Sequence, residues 1–331
     1  MNENIRVSLG SAIVLGLIKG KIDVNPITAY LLTYRNEKCI ANCSFCPQAR
    51  SSKSRADMLS RIVWPVFPLE KVFKGLKNAI EKGLIKRVCI QSLNYPNFLE
   101  DIIKIVNGIK KYSDIPISVS CQPINKNGII KLKEAGIERI SIPLDAATKE
   151  IFNKVKGYIV NGPYVWEKQI ELLINALEIF GKGYVNTHLI VGLGETEKEM
   201  IKIIQWCNDL GIYPSIFAFT PIPGTKMEKN PPPNIEKYRR IQIAHYLIIN
   251  KISNFSKMEF NNNEEIIDFG IEKEELIKII HTGKPFLTTG CPNCNRPYYN
   301  ENPRGPIYNY PRKIEEKEIH EIIKQLNFLN I

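Results

Sequence analysis

Short apolar, β-rich runs alternate with longer amphipathic stretches along most of this chain. The apolar runs predict strands at residues 27–34, 87–90, 115–120, 139–144, 185–191 and 214–220, with a further one at 257–260. Between them, apolar positions that recur every three or four residues predict helices at 70–82, 98–111, 166–180, 197–210 and 235–250. Strands that alternate with helices in this way predict an α/β fold with a parallel sheet.

The number of strand-helix units indicates a barrel. Six or seven units occupy about 230 residues, which approaches the ~250 typical of a (β/α)₈ barrel. We therefore predict a TIM-type barrel, complete or partial, over residues 25–285, after an N-terminal helical segment at 1–24. Residues 286–331, rich in Pro, Gly and Asn before a final helix at 314–326, are expected to form a C-terminal lid.

The composition describes a folded protein. Hydrophobic residues make up 44% of the 331 positions, and no window offers the ~20 apolar residues that a membrane helix needs. The net charge of +11 includes no basic run of five or more, which disfavours a nucleic-acid partner and suits an acidic protein substrate. Eight cysteines without an export signal predict reduced metal ligands and a cytoplasmic location.

Three cysteines form a C-x3-C-x2-C motif directly after the first predicted strand. Cys39, Cys43 and Cys46 thus lie on one loop, at the end of a barrel that carries catalytic loops. Three thiolates can hold three irons of a [4Fe-4S] cluster and leave the fourth iron open to a small chelating ligand. A structural zinc ion needs four ligands, and no nearby histidine supplies the fourth. Zinc, or three unrelated buried thiols, is the alternative interpretation.

The motif CIANCSFC at residues 39–46 resembles the signature of the radical S-adenosylmethionine (SAM) enzymes. The resemblance implies that the open iron binds the amino and carboxylate groups of SAM and that the reduced cluster splits SAM to a 5′-deoxyadenosyl radical. It implies SAM-binding roles for Phe45, Asp145, Gly192 and Gly194, of which Asp145 matches the ribose-contacting position of biotin-synthase-like members. The Gly-Gly-Glu motif of many members is missing, as it is from biotin-synthase-like enzymes. From the residues alone, Asp145 is equally a helix cap and Gly192–Gly194 a tight strand-to-helix turn.

Four further cysteines suggest a second cluster. Cys89 and Cys121 end predicted strands, and the resemblance places them where biotin synthase has ligands of a sulfur-donating auxiliary cluster; Asn186 takes the place of that enzyme's strand-five cysteine. Cys291 and Cys294 form a C-x2-C in the C-terminal extension. We hypothesise that Cys89, Cys121, Cys291 and Cys294 bind an auxiliary iron-sulfur cluster, with the extension folded over the barrel mouth. The alternative is two small buried hydrophobes and half of a zinc knuckle.

The remaining thiol and the histidines have no metal-ligand spacing. Cys207, His245 and His320 fall within helical patterns and are expected to be structural. His188 shares the strand face of Asn186, so its side chain is expected to point into the barrel. No side chain is assigned a catalytic role of its own.

Residues 46–50 and 289–301 resemble the archaeal two-protein lipoyl synthases, in which two related radical SAM chains act together. The resemblance implies insertion of sulfur into unactivated C–H bonds of an octanoyl chain on a carrier-protein lysine. It implies as partners the octanoylated carrier protein, a second related radical SAM subunit and an electron donor such as ferredoxin. The alternatives are a biotin-synthase-like enzyme acting on a free small molecule and, from a different class, a zinc-stabilised RNA-binding module.

Overall fold

The structure is a computed structural model that describes residues 3–123 and 125–326. The ends of the predicted N-terminal and C-terminal segments, residues 1–2 and 327–331, lie outside the described residues. In the described part, no helix is both long and apolar enough to cross a bilayer.

Strands and helices alternate as the hydrophobic pattern predicts. The strands are β1 (Asn4–Val7), β2 (Thr28–Thr33), β3 (Met58–Leu59), β4 (Ile62–Val63), β5 (Val66–Pro68), β6 (Arg87–Gln91), β7 (Ile117–Ser120), β8 (Arg139–Ser141), β9 (Val185–Val191), β10 (Ile212–Ala218), β11 (Glu259–Phe260) and β12 (Ile266–Asp268). The helices are α1 (Leu9–Val14), α2 (Leu69–Glu81), α3 (Phe98–Lys110), α4 (Lys126–Glu134), α5 (Lys149–Val155), α6 (Trp166–Phe180), α7 (Glu197–Leu210), α8 (Ile235–Ile249), α9 (Lys273–His281) and α10 (Glu316–Lys324).

The main sheet is a partial barrel. Its strand order is β10-β9-β8-β7-β6-β2-β1-β5, and the six strands from β10 to β2 run parallel. Each parallel strand up to β9 leads through at least one helix to the next strand, as the crossover between parallel strands requires. The fold is therefore an α/β partial TIM-type barrel, within the range that the sequence predicts.

Two predicted elements differ from the structure. Residues 1–24 do not form a purely helical segment, because β1 pairs antiparallel with β2 and with β5 before the short helix α1 begins. The apolar side chains of Ile5 and Val7 are fully buried in this pairing. The predicted strand at 257–260 is reduced to the two residues of β11, which pair with β12 in a separate ribbon outside the barrel.

The two faces of the parallel strands have different compositions. Val88, Ile90 and Ile140 point outward and are fully buried in the hydrophobic core. Because side chains alternate along a strand, the positions between them point inward. Those inward positions include cysteine, glutamine, serine and asparagine, so the barrel interior is built for a ligand rather than for a dry core.

The C-terminal extension closes the open side of the barrel. The amide of Ile216 in β10 donates to Oγ1 of Thr289 (2.9 Å), and Oγ1 of Thr28 in β2 donates to the carbonyl of Asn293 (2.7 Å). The extension is thus seated between β10 and β2, with its C-x2-C near the strand starts. The expectation of a lid over the mouth is therefore wrong for the C-x2-C, which lies at the seam left by the six parallel strands. The residues that follow it do reach the carboxyl ends of the strands, where Oγ1 of Thr220 donates to the carbonyl of Asn300 (2.7 Å).

Arg239 of helix α8 anchors the extension to the barrel. Its fully buried guanidinium donates to the carbonyls of Ile307 (2.6 Å) and Tyr308 (2.7 Å). Burial lowers the pKa of Arg239 to about 10, which still leaves the group charged at neutral pH. Charged hydrogen bonds of this kind are among the stronger polar contacts in proteins, so the extension is part of the fold.

Candidate metal and cofactor site

The first three cysteines lie on a loop that follows β2 and is held in shape by its own backbone. The amide of Cys46 donates to the carbonyl of Cys43 (3.1 Å), and the amide of Cys39 donates to the carbonyl of Gln48 (3.0 Å). Lys38 crosses under the loop, and its Nζ donates to three carbonyls, those of Pro47, Ser52 and Ser54, at 2.7 to 3.0 Å. These contacts fix the spacing of the thiols before any ligand binds.

Cys39 is buried and Cys43 and Cys46 are half-buried, and Cys39 lies close enough to both to affect their ionisation. Burial raises the pKa of Cys39, raises that of Cys43 well above its ordinary value and raises that of Cys46 to about 12. Proximity of Cys39 adds to the increase at both Cys43 and Cys46. Thiolates that are this costly to ionise alone are stabilised when a metal centre supplies the compensating positive charge.

The donor set of this loop consists of three thiols. Across residues 3–123 and 125–326, no three His, Cys, Asp or Glu side chains converge as ligands of one metal ion. A mononuclear zinc site requires such convergence, whereas each thiolate of a [4Fe-4S] cluster binds a different iron atom. Cys39, Cys43 and Cys46 would each bind a different iron atom of such a cluster.

Asp145 lies beside this loop as half of a buried ion pair. Nζ of Lys156 is 2.6 Å from Oδ2 of Asp145 and also donates to the carbonyl of Pro143 (2.6 Å). The backbone of Asp145 is in the left-handed region, with φ of 67°, and extends the ladder to β9 by one isolated bridge. Helix α5 is capped instead by Thr148, so the helix-cap interpretation of Asp145 is wrong.

The Gly192–Gly194 segment is the tight strand-to-helix turn that the sequence left open. Both glycines have positive φ, 104° and 117°. The carboxylate of Glu195 accepts hydrogen bonds from the amides of Gly192 (2.7 Å) and Leu193 (2.9 Å). Those two amides are therefore already paired, and neither glycine lines the cavity described next.

One cavity of about 200 Å³ occupies the barrel interior and joins the two groups of cysteines. Phe45, Cys46 and Asp145 line it where the loops follow the strands. Cys89, on the inner face of β6, lines it deeper in the barrel. The lining also includes both cysteines of the C-terminal extension, Cys291 and Cys294.

Cys89, Cys291 and Cys294, here called the thiol triad, come together although about 200 residues separate them in sequence. After burial, the neighbouring Cys291 and Cys294 are the two main causes that raise the pKa of Cys89 well above its ordinary value. Sγ of Cys294 lies 3.5 Å from the hydroxyl of Tyr30. The structure thus brings three of the four predicted auxiliary-cluster ligands to one place.

Cys121 does not join the triad, so its prediction as a fourth ligand is wrong. In the strand register Cys89 pairs with Ser118, and Cys121 lies three residues after Ser118. Ser118 and Ser120 line the cavity, whereas Cys121 is buried in the hydrophobic core. Burial alone raises the pKa of Cys121 to about 12, with no contribution from another thiol. The alternation of side chains along β7 turns this cysteine toward the helices.

Two charged residues of the interior are absent from the sequence-based prediction. Lys156 lies eleven residues after Asp145 and belongs to no recognisable motif. Only the folded chain brings its side chain back to Asp145. Arg296 follows the C-x2-C, and its guanidinium carbon lies 3.9 Å from the ring centroid of Phe217. Its backbone amide donates to the hydroxyl of Tyr30 (2.9 Å). Arg296 falls within residues 289–301, the segment that resembles the two-protein lipoyl synthases, and this was the available signal for it.

The other predicted positions behave as expected. His188 lines the cavity, and burial, helped by Arg296 and Lys156, lowers its pKa to about 3. Cys207 is fully buried in α7, and His245 contacts the carbonyl of Pro214 at 2.8 Å, so both are structural. His320 lies exposed on α10.

Comparisons with known proteins concern the family and the fold of this chain. The sequence profile of the Radical SAM superfamily matches residues 34–207, which is just over half of the chain. Biotin synthase from Hydrogenobaculum sp. (strain Y04AAS1) is 26% identical over 228 residues, which cover 67% of this chain and 64% of that protein. GTP 3′,8-cyclase from Aliarcobacter butzleri (strain RM4018) is 28% identical over 195 residues, which cover 57% of this chain and 55% of that protein. The chain thus spans less than two thirds of the length of each of these curated relatives.

Solved structures share the fold. The FeFe-hydrogenase maturase HydG from Carboxydothermus hydrogenoformans superposes with a TM-score of 0.54 at 21% identity, covering 73% of this chain and 55% of that one. Methylornithine synthase (PylB) superposes with a TM-score of 0.52 at 16% identity, covering 72% of this chain and 66% of that one. At these identities the likeness shows the architecture of the barrel alone.

Proposed function

Because this chain belongs to the radical SAM superfamily, we propose that it inserts sulfur into unactivated C–H bonds of an octanoyl chain on a lipoyl carrier protein. Membership of the family implies a [4Fe-4S] cluster and SAM, and it overturns the alternative of a zinc-stabilised RNA-binding module. When bound, the cluster and SAM would supply a one-electron cleavage whose product radical removes a hydrogen atom from carbon, and a second cluster would supply the sulfur. The residues of the chain would bind and orient SAM and the substrate and keep water from the reacting carbon.

The observation that carries the proposal is the thiol triad in the same cavity as Cys46 and Asp145. An enzyme that only abstracts hydrogen needs one cysteine group, whereas sulfur insertion needs a second sulfur-bearing centre on the other side of the substrate carbon. Cys89, Cys291 and Cys294 would hold such an auxiliary cluster, with Cys121 left out. The cavity between the two groups is where the carbon chain would lie.

One wall of the cavity suits an alkyl chain. Leu59, Trp64, Phe217, Phe219 and Ile222 contribute apolar surface to it. Burial of an apolar chain against such a wall is favourable by about 0.8 kcal/mol for each methylene group. An octanoyl chain therefore gains binding energy from groups remote from the reacting carbon, which an enzyme uses to orient the substrate.

Asp145 and Lys156 act on the SAM side of the cavity. Lys156 fixes one carboxylate oxygen of Asp145 in place, and the positive φ of Asp145 turns its side chain at the end of β8. We assign Asp145 to bind the ribose of SAM and Lys156 to position that carboxylate. Phe45, in the cavity lining next to Cys46, would contact the nucleoside.

The extension keeps water from the reacting carbon. Tyr299 packs on Tyr30, with ring centroids 4.9 Å apart, and on Trp64 at 5.8 Å. Oγ1 of Thr220 donates to the carbonyl of Asn300 (2.7 Å), so the extension also covers the cavity beside the segment that follows β10. Exclusion of water protects reactive species from side reactions, as radical chemistry requires.

The proposed partners follow from charge and from the reaction. A net charge of +11 favours docking of an acidic carrier domain, which would present its octanoyl-lysine at the loops that follow the strands. A ferredoxin-like protein would supply electrons, and a second related radical SAM subunit would complete the enzyme if one chain installs only one of two sulfur atoms.

The test uses protein prepared and reconstituted without oxygen. Incubation with SAM, reductant and an octanoylated carrier peptide is expected to yield 5′-deoxyadenosine together with a mass gain of sulfur on the peptide. The variant C294A is expected to form 5′-deoxyadenosine without sulfur transfer, and C121A, the matched control, to retain both. Deoxyadenosine without sulfur transfer by the unmodified protein, with the related subunit added, would refute the lipoyl assignment and leave family membership intact.

A biotin-synthase-like activity on a free small molecule is the second candidate. The curated relatives named biotin synthase, at 26% identity, favour it. Competition separates the two candidates, because a free thiolated product should inhibit only an enzyme that accepts small molecules. Inhibition by the carrier protein at lower concentration than by the small product supports the lipoyl assignment.

A further inference from the structure

Three segments meet beside the cavity at the carboxyl ends of the strands. They are residues 50–61, 219–230 and 298–304, here called the cavity rim. The amide of Lys53 donates to the carbonyl of Gly224 (2.8 Å), which joins the first segment to the second. Oγ of Ser60 donates to the carbonyl of Tyr299 (2.7 Å), which joins the first segment to the third. The rim also lines the cavity itself, through Leu59, Ser60, Thr220, Ile222 and Asn300.

The rim carries more exposed cations than exposed carboxylates. Its exposed cations are Lys53, Arg55, Lys226, Lys229 and Arg304. Asp57 neutralises Arg55 through hydrogen bonds of 3.0 and 2.7 Å. Within the described residues, no carboxylate lies at ion-pair distance from the other four cations. Glu301 is buried, and Glu228 accepts a hydrogen bond from the amide of Gly224 (2.6 Å). The rim therefore presents positive charge that the chain does not neutralise.

Exposed lysines on three helices show the contrast. Lys126 of α4, Lys149 of α5 and Lys168 of α6 each lie 2.5 to 2.8 Å from a glutamate side chain. Lys53 and Lys226 belong instead to two segments that are bonded to each other, and neither has such a partner in the described part of the chain. Like charges on adjoining segments repel, and a partner of opposite charge removes that cost.

We propose that the cavity rim is the docking site of an acidic carrier domain, which inserts its octanoyl-lysine into the cavity beside the three segments. This docking site rests on the proposed function, in which the acyl chain is attached to such a domain. The docking contacts are assigned to the four unneutralised cations, Lys53, Lys226, Lys229 and Arg304. Their attraction for carboxylates of the domain would orient it before contact and raise the rate of association.

The composition of the rim favours a carrier domain over a nucleic acid. Its cations come from three short segments beside one cavity, whereas a phosphate backbone is followed by a continuous row of basic residues. Leu59 and Ile222 of the rim belong to the apolar wall of the cavity, so charged and apolar surfaces adjoin. A carrier domain matches both surfaces, because its carboxylates suit the cations and its acyl chain suits the wall. A nucleic acid matches only the cations.

The experiment measures association directly, on protein reconstituted without oxygen. A fluorescently labelled, octanoylated carrier domain of net negative charge is mixed with the enzyme in a stopped-flow instrument at low and at physiological ionic strength. For K226E/K229E the association rate constant is expected to fall about tenfold or more at low ionic strength, as for loss of electrostatic steering, and to depend less on salt. K226R/K229R, which keeps both charges, should associate like the wild type.

Two controls separate docking from net charge and from misfolding. K19E/K21E makes the same change in net charge at two exposed lysines of the loop before β2, at the other end of the strands. Its association rate constant is expected to stay close to that of the wild type. An octanoyl-lysine peptide without acidic residues reports on the cavity alone, so it should bind K226E/K229E and the wild type equally.

The outcomes separate this docking site from the proposed function. Equal rate constants for K226E/K229E and the wild type refute the docking site, and so does an equal loss in K19E/K21E, since net charge alone would then explain the effect. Tighter binding of a tRNA than of the carrier domain at the same ionic strength would overturn it in favour of a nucleic-acid surface. A domain that docks at the rim but gains no sulfur refutes the proposed function and leaves the docking site intact.

Discussion

Replacing Lys156 by methionine tests whether the Asp145–Lys156 ion pair both stabilises the fold and positions SAM. The side chain of Lys156 is 1% exposed and that of Asp145 is 11% exposed, with Nζ and Oδ2 separated by 2.6 Å. At an effective dielectric constant of about 20, two unit charges at this distance attract by about 6 kcal/mol before desolvation is subtracted. Methionine has a similar length and no charge, so K156M leaves the carboxylate of Asp145 buried without its partner.

The expected loss in the free energy of unfolding is about 3–5 kcal/mol, the range for a buried pair that loses one member. Lys149 provides the matched control from the same region of the chain. It pairs with Glu167 at 2.5 Å, but the two side chains are 52% and 58% exposed. K149M is therefore expected to cost less than about 1 kcal/mol, because water screens an exposed pair. Urea unfolding of the anaerobically reconstituted proteins, followed by circular dichroism, measures both.

The double variant D145N/K156M separates stability from function. Removing both charges leaves no unpaired buried ion, so the free energy of unfolding is expected to return to within about 1–2 kcal/mol of the wild type. SAM binding, measured by equilibrium dialysis, is expected to remain weak because the carboxylate assigned to the ribose is gone. K156M as stable as K149M, or a double variant no more stable than K156M, would show that electrostatics does not hold this part of the site.

Three further predictions concern the extension, the pH dependence and the anchor. G290A is expected to displace the thiol of Cys294, because the added Cβ would lie 2.9 Å from Sγ. The iron and sulfide count of this variant should therefore lack the second cluster. G10A is the control, since its added Cβ has its nearest contacts at 3.6 Å and the second cluster should be kept. Burial lowers the pKa of His245 from 6.5 to about 4, so the unfolded chain binds more protons between these values and stability falls as the pH drops from 7 to 5. H245Q is expected to reduce that loss by about 2 kcal/mol in urea unfolding at the two pH values, and an unchanged loss would contradict the assignment. R239M is expected to free the extension, seen as faster cleavage there in limited proteolysis, and equal cleavage rates would show that Arg239 is not its anchor.

The local sequence pattern determined the strands and helices of this protein and the loop with its first three cysteines. The strands and helices of the barrel follow from hydrophobic periodicity, which can be read over a few residues without knowledge of the fold. The spacing of Cys39, Cys43 and Cys46 within eight residues likewise places three thiols on one loop whatever the rest of the chain does. The Asp145–Lys156 ion pair could not be predicted from local pattern, because Lys156 approaches Asp145 only after helix α5 has reversed the direction of the chain.

The tertiary structure decided which cysteines act together. Cys89 and Cys121 look alike in sequence, since each lies at or near a strand end, but alternation along the strands turns the first inward and the second toward the helices. Cys291 and Cys294 join Cys89 because the seam between β10 and β2 accepts the extension, a contact between residues about 200 positions apart. Sequence spacing carries no information about such a meeting, which depends on the register and curvature of the whole sheet.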